Sequence, residues 1–127
     1  MPFVLDPHSG VPVYRQLMDQ IRYQIAGGLL RPGDELPSIR ALSEPLGVNP
    51  MTISKAYNIL VREGLLERRP GKPLVVTPQS DGDLRLSRLD QLRETLRPAV
   101  AMVDQFGVEP DEAERLFGEL LRKERKS

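Results

Sequence analysis

The turn Gly47-Val48-Asn49-Pro50 constrains this chain most, because it sits between two short segments that each read as an amphipathic helix. Before it, Ser38 is suited to cap a helix whose apolar side is Ile39, Leu42 and Leu46. That helix should stop near Pro45 or Leu46, and Pro45 should shorten or distort its last turn. Gly47 occupies the place where a left-handed residue usually closes a helix. After the turn, Asn49 is suited to cap a further helix with Pro50 at its first position. This helix runs to about Glu63, where Gly64 ends it, and turns Ile53, Ala56, Tyr57, Leu60 and Val61 inward. Met51, Thr52, Ser54, Lys55 and Asn58 are left on or near its outer side.

Two strand-like segments follow, Leu65–Arg69 and Leu74–Thr77, separated by Pro70-Gly71-Lys72-Pro73. They read as a basic hairpin with a Gly/Pro turn. Helix, tight turn, helix and hairpin, over Leu36–Val76, is the plan of a winged helix-turn-helix. That arrangement places its second helix in the major groove of duplex DNA.

The flanks complete the plan. Residues 1–12 are short and extended, with Phe3-Val4-Leu5 expected to clamp the core or serve as an edge strand. Tyr14, Leu17, Met18, Ile21 and Ile25 recur at helical spacing over Val13–Ala26, and Gly27-Gly28 suits the helix end. Leu29 to Asp34 reads as a connector with a Pro-Gly turn. Pro78 to Asp83 reads as a polar linker, and two helical segments follow, Leu84–Phe106 and Pro110–Glu124. The expected fold is mainly α with a small β-hairpin wing. Residues 1–79 form an N-terminal winged helix-turn-helix, and residues 80–127 a short C-terminal helical dimerisation element.

Composition narrows the function by exclusion. The 127 residues carry 18 basic and 18 acidic side chains, so net charge points to no partner. Residues 1–79 hold 9 Lys/Arg against 7 Asp/Glu, and residues 80–127 hold 9 against 11, which is a mild asymmetry. With no cysteine and the single histidine His8, neither a disulfide framework nor a thiolate metal site is expected. No Ser/His/Asp set, cysteine nucleophile or phosphate loop is present, so no enzyme, cofactor or metal is expected. The N-terminus lacks the pattern of a signal peptide, and no apolar run is long enough to cross a membrane, so a cytoplasmic protein is expected.

The motifs Pro12-Val13-Tyr14, Gly28-Leu29-Leu30-Arg31-Pro32-Gly33, Leu36-Pro37-Ser38-Ile39-Arg40, Val48-Asn49-Pro50-x-Thr52 and Lys55-Ala56-Tyr57 are together specific. On them the chain resembles the GntR family of bacterial transcription regulators over roughly residues 3–77. Its V-N-P-x-T-x-x-K-A-Y phrase and short C-terminal part resemble the YtrA-type subfamily. The resemblance implies a dimeric DNA-binding regulator, usually a repressor, and for YtrA-type members an operon with ABC-transporter genes. It places Arg40, the start of the third helix and Gly71 against DNA. The chain departs from the pattern at Pro45, at Gly71-Lys72-Pro73, where a second glycine is common, and at Val75, where an aromatic residue is frequent.

The expected DNA contacts are Ser38, Arg40, Asn49, Pro50, Met51, Thr52, Ser54, Lys55, Arg69, Gly71 and Lys72. The Arg40 guanidinium suits a phosphate or the O6 and N7 of guanine, or else a surface pair with Glu44. Backbone N–H groups at the start of the third helix suit phosphate. Thr52 and Ser54 can donate to phosphate or a base edge, Met51 or the Thr52 methyl can touch a thymine methyl, and Lys55 suits phosphate. Thr52 can equally serve the cap at Asn49. Arg68 and Arg69 should alternate across a strand, leaving one near DNA. Tyr14 and Tyr57 read as core residues rather than base-stacking ones.

In the C-terminal part, Leu89, Leu92, Leu96, Ala99, Val103 and Phe106 form a coiled-coil-like seam through Pro98, which should kink it. Leu116, Phe117, Leu120 and Leu121 form a second apolar face. A homodimer on Leu89, Leu92, Leu96, Val103, Phe106, Phe117 and Leu120 answers both faces and matches a palindromic operator. The alternatives are helices folded back on the same chain, or a protein-interaction module that works through them. The basic run Arg122 to Lys126 reads as a solvated helix end or a further DNA contact. No residue names an effector.

Overall fold

The structure, a computed structural model, describes residues 3–124. Helices α1 (Val13–Ala26), α2 (Ile39–Leu46) and α3 (Pro50–Arg62) lead into strands β1 (Leu66–Glu67) and β2 (Val75–Val76). Helices α4 (Asp81–Gln105) and α5 (Pro110–Glu124) follow. One compact unit extends to Gln91 and a second begins at Leu92, so the division falls inside α4.

The first unit is built around α3, which packs on α1, α2 and β1. Leu17, Ile21, Ile53, Ala56 and Leu60 lose all solvent contact, as the helical spacing predicts. The sequence reading missed Leu30 and Leu36, which join this core from the segment after α1. The cause is a third strand-like stretch. Leu36 N–H donates to Leu74 O at 2.8 Å and Val76 N–H to Asp34 O at 2.9 Å, pairing residues 34–36 with the far edge of β2. What read as a connector therefore closes one side of the hairpin.

The hairpin itself is shorter than expected. Its ladder covers Leu66 with Val76 and Glu67 with Val75, extended by Thr77 N–H to Leu65 O at 2.9 Å. Pro70 and Pro73 have no N–H to continue it.

The N-terminal arm clamps the core, with Phe3 and Leu5 buried and Val4 outside. It is not a strand. Side-chain amides from α1 bind its backbone instead. Gln20 Oε1 accepts from Val4 N–H at 2.9 Å, and Gln16 Oε1 accepts from Asp6 N–H at 2.8 Å. Gln16 and Gln20 lie one turn apart on α1, so both amides reach the same arm.

Helix α2 is not shortened by Pro45 and continues to Leu46. Its end is closed by Gly47 at φ +64°, with Gly47 N–H on Glu44 O at 3.3 Å and Val48 N–H on Ser43 O at 3.0 Å. This pair of bonds closes the helix beyond the proline, which forfeits only its own bond to Ala41. Leu46, expected on the apolar face, is 38% exposed, and Ser43 is buried instead.

Helix α4 starts one turn earlier than expected, because Ser80 Oγ accepts from Asp83 N–H at 3.1 Å and caps it. It runs through Pro98 without a break. The Arg88 guanidinium donates to Ala26 O at 2.9 Å, tying the first turns of α4 to the carbonyl end of α1. Neither α4 nor α5 has a buried residue. Arg125 and Lys126 lie outside the described residues.

Candidate nucleic-acid interface

The turn between α2 and α3 fixes how the candidate residues are presented. Ser38 Oγ accepts from Ala41 N–H at 3.0 Å, and Asn49 Oδ1 accepts from Met51 N–H at 2.9 Å, so both caps form. Thr52 N–H bonds the Asn49 carbonyl at 2.9 Å. Behind them, the Tyr57 hydroxyl donates to Pro37 O at 2.6 Å and ties α3 to the residue before the Ser38 cap. Burial pushes the Tyr57 phenol well above its ordinary range. Tyr57 is thus a core residue, as its spacing implies.

With Ile53, Ala56, Tyr57 and Leu60 turned inward, α3 presents Met51, Thr52, Ser54, Lys55, Asn58 and Arg62 around one shallow concavity. Met51 is 75% exposed, so its side chain is available to contact another surface. Lys55 Nζ sits 3.9 Å from the centroid of the Tyr14 ring, so α1 holds this ammonium over an aromatic face. Tyr14 packs against the core while its ring carries the cation.

A second groove, of about 440 Å³, runs between α3 and the wing. Ser38, Ser54, Gly71 and Lys72 line it together with Asn58 and Arg68. Four of the expected contact residues therefore converge there from three separate elements. Gly71 has φ +68°, a conformation that side-chain-bearing residues rarely adopt, and open space where a Cβ would point.

The remaining expected residues line neither concavity. Asn49 and Pro50 form the leading edge of α3. Arg40 is on the outer side of α2, its Nε 2.7 Å from Glu44 Oε1, as the surface-pair alternative has it. Arg69 folds back on Glu67 at 3.0 Å. Arg68 turns the other way, and its Nη2 donates to Asn58 Oδ1 across the groove. The sequence reading gave Arg69 the larger role and left Arg68 and Asn58 outside the candidate set. The four-residue spacing of Ser54 and Asn58, on the outer face of α3, is the signal that marks Asn58.

No described helix is long and apolar enough to cross a membrane, and no cluster of metal-ligating side chains occurs among the described residues.

Comparisons with known proteins agree with this geometry. The sequence profile of the bacterial regulatory proteins of the gntR family matches residues 13–76, which is the arm-bearing helix through the wing. The chain is similar to the HTH-type transcriptional repressor YtrA of Bacillus subtilis (strain 168), 33% identical over 105 residues, which cover 83% of this chain and 81% of that protein. Its fold resembles YtrA from Sulfolobus acidocaldarius, a GntR-family transcription factor, with 36% identity and TM-score 0.55 over 94% of this chain and 97% of the other. The DNA-binding domain of AraR, solved in complex with operator ORX1, matches 58% of this chain and 92% of its own, with 32% identity and TM-score 0.50. A winged helix-turn-helix with these matches across most of its length identifies the chain as a DNA-binding transcription regulator that belongs to the GntR family.

Proposed function

We propose that the protein is a homodimeric repressor that reads a palindromic operator in double-stranded DNA and controls its own operon. Residues 1–79 serve as the DNA-binding part and residues 80–127 as the dimerisation part. The observation that carries the reading is the convergence of Ser38, Ser54, Gly71 and Lys72 on one groove beside the exposed first turns of α3. A helix N-terminus, hydroxyl donors and a glycine-tipped basic wing are the groups that duplex DNA requires. The AraR domain that shares this fold was solved on operator DNA, which supports the same use here.

In this reading the free N–H groups of α3 and the side chains of Lys55, Lys72 and Arg40 neutralise phosphates. Met51, Thr52 and Ser54 face base edges, Asn49 and Pro50 set the approach of the helix, and Arg69 adds charge beside the wing. The homodimer is supported by α4 and α5, whose Leu89, Leu92, Phe106, Phe117 and Leu120 are all exposed. Together with half-buried Leu96 and Val103 they form faces that a second copy can cover. Two heads then reach half-sites about 34–36 Å apart. The YtrA-type resemblance of the V-N-P-x-T-x-x-K-A-Y phrase extends the proposal to an operon that encodes an ABC transporter.

The test is titration of the purified protein into labelled duplex from the promoter region of its own gene. Preferential, salt-sensitive binding with a two-fold symmetric footprint is expected. Equal affinity for a scrambled duplex at physiological salt overturns the reading.

A further inference from the structure

We infer that Arg68 and Asn58 act as positioning residues that lock the wing to the recognition helix and thereby set sequence discrimination. The inference rests on the DNA-binding reading above and concerns how that interface is held together.

The backbone leaves the wing tip weakly held. Ladder bonding of the hairpin ends at Glu67 and Val75, and Leu36 N–H secures Leu74. Between them, residues 68–73 contain two prolines and one internal backbone bond, Lys72 N–H to Arg69 O at 3.1 Å. A tip of this kind keeps its own turn but has no backbone tie to α3. The tie is made by side chains. Arg68 Nη2 donates to Asn58 Oδ1, and Asn58 Nδ2 lies 3.5 Å from Ser54 Oγ. The relay crosses the groove that the wing and α3 line together. Its neighbour Arg69 takes no part, being paired with Glu67 at the end of β1.

Two consequences follow from the chemistry. Asn58 reads adenine only by presenting its carbonyl and amide together, and here the two are directed to Arg68 and Ser54 within the groove. Asn58 is thereby assigned to holding the wing rather than to reading a base. Arg68, in turn, keeps its charge, but its bond to Asn58 turns the guanidinium toward α3 and so ties the wing to that helix. What the pair supplies is the distance between Gly71-Lys72 and Ser54. A wing free to drift still finds phosphates on any duplex, whereas a fixed wing fits only where groove width and base pattern agree.

The experiment uses the full chain and two probes, a duplex selected from a random-sequence library by the wild-type protein and the unselected pool. Dissociation constants are measured across a salt series for wild type, Arg68→Ala, Asn58→Ala and the double variant, with melting temperatures alongside. Each single variant is expected to weaken the selected duplex by about tenfold, with pool binding held within about twofold. The double variant is expected to be no worse than the weaker single, the non-additivity of one shared contact. The salt slope is expected to stay unchanged. Multiplying losses, or a salt slope reduced by about 0.9 for Arg68→Ala, would make Arg68 an independent phosphate contact and overturn the inference alone. Equal losses on both probes with a lowered melting temperature would make the pair merely structural and overturn it too. A wild type that selects no duplex overturns the DNA-binding reading along with it.

Discussion

The head and the C-terminal helices carry the same kind of sequence signal and use it differently. In α1 and α3 the apolar residues at helical spacing, Leu17, Ile21, Ile53 and Leu60, have no solvent contact at all. In α4 and α5 an equally regular series, from Leu89 to Leu121, leaves no residue buried, and Phe106 is 72% exposed. Periodicity announces that a face exists; what covers it depends on how many elements surround it. In the head, three helices, a clamped arm and a three-stretch sheet cover one another. Two helices alone have no such surroundings, and a soluble chain seldom leaves that much contiguous apolar surface open to water. On the proposed homodimer, the head is the self-sufficient folding unit and the tail the part whose order depends on association.

The sharpest way to break this contrast is to cut the same volume from each region. Leu60→Ala should destabilise the head by about 2–5 kcal/mol, because the vacated space is enclosed on all sides. Leu120→Ala, at 46% exposure, should leave head unfolding unchanged at protein concentrations low enough to keep the chain monomeric. Urea denaturation followed by a head-specific probe decides it, and comparable losses would show that the tail folds as part of the head.

The tail has its own test, through association. Leu92→Asp combined with Leu96→Asp places charge on the proposed seam and should convert dimer to monomer in sedimentation, with the head's melting temperature retained. Operator affinity should fall by about 100-fold or more, since the second head no longer binds at high effective concentration. A double variant that sediments as a dimer would refute the seam.

The head was largely legible because its signals are local. Ser38, Gly47, Asn49 and Pro50 carry their caps and turn in their own chemistry, and the structure forms each of them. The gntR family match to residues 13–76 and the two YtrA proteins agree with the motifs read there. What escaped was non-local. The pairing of residues 34–36 with β2 depends on a partner some 40 positions away, and nothing in Gly33-Asp34-Glu35 marks it. Pro45 misled for a different reason, since both its cost and its remedy lie within the same turn. It forfeits one hydrogen bond, and the bonds of Gly47 and Val48 N–H to Glu44 and Ser43 complete the turn regardless. Strand alternation separates Arg68 from Arg69 without giving either a partner, and the reach of Arg68 to Asn58 is visible only in the fold. The seam from Leu89 to Phe106 was equally visible as a pattern, and its occupant is a matter for the sedimentation experiment.

A smaller effect should come from Tyr57, where burial and a hydrogen bond act together. Tyr57→Phe removes the donor to Pro37 O and leaves that carbonyl without it, at a cost of about 1–2 kcal/mol at neutral pH. The pH dependence adds a second signature. The folded-state phenol titrates above the ordinary value of 10.0, so the neutral form is favoured by folding. That contribution is fully present below pH 10.0 and is lost as pH rises above it toward the folded-state value. The stability gap between wild type and Tyr57→Phe should therefore narrow as pH rises above that point. A gap that stays constant in urea titrations at neutral and alkaline pH would mean that the hydroxyl is not desolvated.

The smallest stability effect, and the most telling for the interface, belongs to Arg40 and Glu44. Their ion pair is at the surface, with the arginine side chain 83% exposed, and such pairs contribute no more than about 0.5 kcal/mol. Glu44→Ala should therefore barely move the melting temperature. It should nevertheless tighten operator binding, because Arg40 no longer has to leave a carboxylate before it meets a phosphate. Removing a negative charge near DNA would tighten binding even without that release, so the same change must be made in an Arg40→Ala background. If Glu44→Ala strengthens binding equally whether or not Arg40 is present, general repulsion explains it, and Arg40 is not held in reserve by its neighbour. If the gain vanishes with Arg40, the surface pair is the resting state of a DNA contact.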